Sequence, residues 1–165
     1  MIWLEGLSYL VTILGFPAAI FVIVREERLR RENEASELHR NLSEEYDNFL
    51  RMVIDHSDLL LMSRTRLADD LDEEKRERVE IIFRILISLF EKVFILLHRQ
   101  DMEGNAQRRW ASWQDYMTEW CNREDFRSLL PKLLEGEDEE FRHYLLELSE
   151  QCAAMQVPAE NKIGG

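Results

Sequence analysis

Gly6 to Val24 is a run of 19 residues without a charged side chain, and Arg25, Arg28, Arg30 and Arg31 follow directly behind it. A helix needs roughly 20 apolar residues to cross the hydrocarbon core of a bilayer. Arginines flanking such a run mark its cytoplasmic end. The pattern predicts one transmembrane helix over 1–24, N-terminus outside, in the inner (plasma) membrane, with about 140 residues in the cytoplasm. A cleavable signal peptide fits poorly. Its positive charge should precede the apolar core and small residues should end it, whereas here the charge comes after and Ala18-Ala19 lie in the middle. Trp3 and Tyr9 suit a membrane interface, and Glu5 would lie among the headgroups.

Ser8, Thr12, Gly15 and Ala19 are spaced 4, 3 and 4 apart, so they share one face of the expected helix. Lipid tails give helices no hydrophobic reason to associate, and small or hydroxylic residues that allow close approach take over that role. The stripe therefore predicts a membrane-helix interface with a second copy or a partner helix. Pro17 removes one backbone donor and is expected to be a passive kink.

Net charge is −12, with 33 acidic and 21 basic residues. An acidic chain lacks the basic patches that displace counterions from nucleic acid, so no nucleic-acid partner is expected. Three prolines, six glycines and no β-branched run between turn signals point to an all-α chain. Cys121 and Cys152 fall at apolar helical positions and read as small core residues.

Periodicity gives the organisation. Leu42, Tyr46, Phe49, Val53, His56 and Leu60 follow one another at steps of 4, 3, 4, 3 and 4, an a/d seam. No glycine or proline interrupts 18–66, so the membrane helix is expected to continue into a juxtamembrane, coiled-coil-like helix over 25–66. Asp69 to Glu73 reads as a turn, with Asp70 as the cap of a helix running to about Gln100. Its apolar stretch, Ile81 to Leu97, contains Arg84, Glu91 and Lys92, which argues for a core helix rather than a second span. After a loop at 102–106, Trp110, Trp113 and Trp120 recur with Met117 at helical spacing and read as an aromatic core. A short element with Pro131 near its end follows, then a last helix capped by Asp138. Residues 67–156 thus predict a helical bundle of about four helices, and 157–165 a frayed tail.

The search for chemistry is mostly negative. His39, His56, His98 and His143 stand singly on separate elements, and there is no Cys-x-x-Cys, no phosphate-binding glycine loop and no nucleophile elbow. The run from Glu135 to Glu140 lacks the alternating ligands of a calcium loop. No catalytic, cofactor-binding or metal-binding residues are assigned, and the chain is not expected to be an enzyme.

The stretch carrying Trp110, Trp113, Trp120, Phe126 and Pro131, with Gly136-Glu-Asp behind it, resembles uncharacterised bacterial single-pass membrane proteins with a small all-helical cytoplasmic domain. The resemblance covers roughly 78–148 together with the anchor. It implies an inner-membrane protein and transfers no catalytic residue. Some proteins of this build act in phage defence, an analogy of architecture. The expected function is a membrane-anchored, self-associating interaction or signalling module. Two alternatives are an oligomeric membrane-perturbing or pore-forming effector subunit, and an accessory subunit of a larger membrane complex.

Overall fold

In the computed structural model the backbone is described for 2–62, 66, 71–99 and 102–156, and side chains for those of these residues from 20 onward. The order of elements is α1 (Ile2–Asp55), a 3-10 turn (Ser57–Leu59), α2 (Glu73–Leu97), α3 (Gly104–Cys121), α4 (Glu124–Leu133) and α5 (Glu139–Gln156). No strand occurs among the described residues. The chain divides into two compact units, 1–43 and 44–165.

The expected transmembrane helix is corrected. Among the described residues, no helix is long and apolar enough to cross a membrane. Within α1, Arg25 to Arg31, directly behind Val24, carry six charged side chains in seven positions. Charges at that density cannot lie in hydrocarbon without large cost. The side chains of Ser8, Thr12, Gly15 and Ala19, the Asp70 cap and the tail 157–165 lie outside the described residues.

The second unit packs α2 against α3, α4 and α5, with the last turns of α1 closing the core. Helix α2 begins where Asp72 caps it, its carboxylate accepting from Lys75 N at 2.8 Å. Glu73 and Glu74 sit in its first turn, where the helix dipole favours anions. Its inward face is apolar over Val79, Ile82, Phe83, Leu86, Phe90 and Val93, all at most 2 % exposed. Each such side chain contributes about 1.5–3 kcal/mol by leaving water.

Helix α4 contains Pro131 in its last turn, where the missing N–H leaves the Arg127 carbonyl without its helical donor, and the helix ends at Leu133. Gly136 then turns the chain with a left-handed φ of +90°. Asp138 accepts from Phe141 N at 2.9 Å and caps α5. Helix α5 returns along α3, with Phe141, Leu145, Leu148 and Cys152 inward.

Candidate functional site

In the first unit the described part of α1 is a helix with little to bury. Ile20, Phe21, Val22, Ile23 and Val24 are 46–68 % exposed, and Leu29 is 54 % exposed. Five successive residues point in every direction around a helix of 3.6 residues per turn, so the described residues of this unit offer them no core. The arginines that follow are all exposed. Arg30 and Arg31 both bind Glu27, each at 2.9 Å. The hydrogen bond from Arg31, with the charge of Arg30, holds the Glu27 carboxyl below its ordinary range. Arg25 and Arg28 make no ion pair among the described residues. Phe21, Val24, Arg28 and Arg31 recur at steps of 3, 4 and 3 and form one stripe, half apolar and half cationic.

The expected seam is spent inside the chain. Leu42, which belongs to the first unit, and Tyr46, Phe49 and Val53, which belong to the second, are all buried. The Tyr46 ring stacks on Tyr116 at 4.5 Å and meets Trp113 edge-on at 5.7 Å. The Phe49 ring meets Trp120 edge-on at 5.6 Å. Helix α1 stops at Asp55, so His56 and Leu60 leave the seam. Leu60 adopts a left-handed φ of 52° and is partly exposed, while its neighbours Leu59 and Leu61 turn inward. A coiled coil extending to residue 66 is therefore replaced by a helix end that tucks into the bundle.

Trp110, Trp113 and Trp120 are at most 6 % exposed and form core. Trp110 lies against His98, Phe94 and Tyr144, with ring centroids 4.7–5.9 Å apart. Burial there pushes the His98 imidazole below its ordinary value, so its neutral form is favoured. Among the described residues Trp113 Nε1 has no acceptor, a donor desolvated without return.

Between the first half of α2 and the start of α4 lies a cleft of about 950 Å³. Its walls carry the carboxylates of Glu73, Glu77, Glu80, Glu124 and Asp125, against the guanidiniums of Arg66 and Arg76. Leu71, Val79, Ile81 and Leu129 give it an apolar lining. Glu80 is held by Lys132 at 2.7 Å and Arg84 at 3.0 Å, and these two cations keep its carboxyl below the ordinary range. Glu73, Glu77 and Glu124 make no side-chain bond among the described residues. A shallower groove of about 460 Å³ runs between Phe49 and Met52 of α1 and Ile85 and Leu89 of α2, its rim bridged by Lys92 and Glu45 at 2.6 Å.

Two polar clusters went unread in the sequence. Arg123, between α3 and α4, is buried and gives Nη2 to Asp125 Oδ2 at 2.5 Å. Its Nη1 donates to the carbonyl of Leu61, and its guanidinium lies 6.0 Å from the centre of the Phe83 ring. Asp125 Oδ1 also accepts from Phe126 N at 2.8 Å. The second cluster joins α2 to the turn before α5. Glu91 accepts from Asp138 N at 2.5 Å, and its carboxylate is also the hydrogen-bond partner of Glu137. Desolvation first, then that bond and the charge of Glu91, push the Glu137 carboxyl up to about 7, with Arg84 opposing. Local sequence held no signal for the Leu61 carbonyl beneath Arg123 or for Glu91 beside Glu137 and Asp138, because the fold alone brings these groups together.

Among the described residues, no group of three or more His, Cys, Asp or Glu side chains is placed to hold a metal ion. The arrangement offers surfaces: an exposed apolar and cationic helix in one unit, an acidic cleft in the other. No protein family, curated protein or solved structure matches this chain.

Proposed function

We propose that this chain is a non-enzymatic helical interaction module that works by self-association. The observation that carries the reading is the exposed apolar run from Ile20 to Val24, followed by exposed Leu29. Contiguous apolar surface of this kind marks a site that a partner covers. The run from Ile20 to Val24 has no core among the described residues of its unit, so α1 supplies one side of the association. A helix with apolar side chains on all sides is at home only among other helices or another apolar surface.

The test is sedimentation of the full chain over a range of concentrations, beside Phe21→Glu and Ile23→Glu. The wild type should move as a concentration-dependent oligomer. Both variants should shift toward monomer while keeping the same far-UV circular dichroism. A wild type that stays monomeric at every concentration overturns the reading.

A further inference from the structure

Two features in different parts of this chain are complementary. The α1 stripe presents Phe21 (68 % exposed) and Val24 (46 % exposed) beside the cations of Arg28 and Arg31. The cleft of the second unit presents an apolar lining at Ile81 and Leu129 beside five carboxylates and two guanidiniums, with Asp125 already paired to Arg123 and Glu80 to Lys132 and Arg84. Three of those carboxylates, on Glu73, Glu77 and Glu124, have no side-chain partner of their own among the described residues. Arg28 is likewise without an ion pair there.

We infer that the Phe21–Arg31 stripe of one copy docks in the cleft between α2 and α4 of a second copy. The inference rests on the self-association reading and names the surfaces it uses. The apolar pair covers Ile81 and Leu129, which supplies the non-directional part of the affinity. Arg28, with Arg25 beside it, meets Glu73, Glu77 and Glu124, which sets register and direction. The charge pattern excludes the reverse choice. Two parallel stripes would oppose arginine to arginine, two antiparallel stripes would set arginine against the apolar half, and two clefts would oppose carboxylate to carboxylate. The interface is therefore head-to-tail, with donor and acceptor surfaces that differ. Such a contact leaves one stripe and one cleft free at the ends, so it grows into a chain or closes into a ring.

Charge exchange tests the pairing in the full chain. Arg28 and Glu77 are both exposed and make no ion pair among the described residues, so reversing either leaves the fold intact. Arg28→Glu alone and Glu77→Arg alone should each weaken association at least about tenfold. The double variant, carrying both changes in every copy, should recover most of that loss. Wild-type association should also weaken as salt rises, because the charges that steer it are near the surface.

A wild type that is monomeric throughout overturns the self-association reading itself. A wild type that associates while both single variants match it overturns only the cleft. Weakening by Glu77→Arg without weakening by Arg28→Glu overturns the stripe as occupant and leaves another part of the second copy in the cleft. Two weakened single variants with no recovery in the double overturn the direct pairing.

Discussion

Trp120 Nε1 donates to the hydroxyl oxygen of Tyr46 at 3.1 Å, joining α3 to the last turns of α1 across 74 residues of sequence. Both side chains are almost wholly buried, and burial pushes the Tyr46 phenol up to about 12. Tyr46→Phe keeps the ring contacts and removes only the acceptor. The orphaned indole should then cost about 1–3 kcal/mol, read by urea denaturation. Trp113 provides the contrast, since its indole donor already lacks a partner. Trp113→Phe should therefore destabilise less than Trp120→Phe, and the opposite order would deny the hydrogen bond its role.

The buried pair of Arg123 and Asp125 should be costly to break from one side. Asp125→Ala leaves a buried guanidinium without its counter-charge, with an expected loss of about 3–5 kcal/mol. Arg123→Lys should fail to restore the native stability. An ammonium cannot hold the Leu61 carbonyl and the Asp125 carboxylate in the fixed geometry of a planar fork. Chemical denaturation of both variants checks this, and a stable Arg123→Lys would refute the forked contact.

Glu137 predicts a pH dependence of stability. Its folded value, about 7, lies above the ordinary 4.5, so the folded state binds the proton more tightly than the unfolded chain. The contribution is full below about 4.5 and is lost as pH rises through about 7. Glu137→Gln remains neutral at every pH. The stability of the wild type relative to that variant should fall across this window and level off above it. Denaturation midpoints of both proteins between pH 4 and pH 8, flanking the titration range of a perturbed carboxyl, supply the comparison; a constant difference would count against the Glu91–Glu137 bond.

Cys121 and Cys152 are both buried, and burial raises both thiols, Cys121 to about 12. Since the thiolate is the reacting form, neither should modify in the native protein at neutral pH. A chromogenic disulfide reagent should label both only at the rate of unfolding, accelerating with urea. Prompt labelling of either without denaturant would contradict the packing of α3 against α5.

Much of the bundle was legible because its helices bury one face at 3.6-residue spacing. Trp110, Trp113, Met117 and Trp120 on α3, and Phe141, Leu145, Leu148 and Cys152 on α5, were readable in that way. The Asp138 cap was readable from its place behind Gly136. The start of α2 was blurred because 69–73 offers several acids with capping spacing, and the described cap is Asp72. The end of α1 was hidden for a different reason. No glycine or proline marks Asp55, and the break comes from Leu59 and Leu61 turning into the core, a tertiary effect that leaves Leu60 strained. Arg123 and Asp125 sit in a stretch of alternating charges that reads as solvated surface. Only the fold reveals a carbonyl from another element waiting for the guanidinium. The membrane reading rested on counting apolar residues in one run, whereas among the described residues no helix is long and apolar enough to cross a membrane.

The grip of Arg123 on Leu61 has an asymmetric bearing on how this protein tolerates change. Every residue carries a main-chain carbonyl, so the tethered end of the linker supplies its half of the bond whatever its side chain. The other half has no substitute, because only arginine offers two separately aimed donors on one rigid plane. Residue 61 is thus free to drift wherever packing allows, while residue 123 is fixed by what it must reach. The connection between the first and second helices is remembered at a single position, distant from the connection itself.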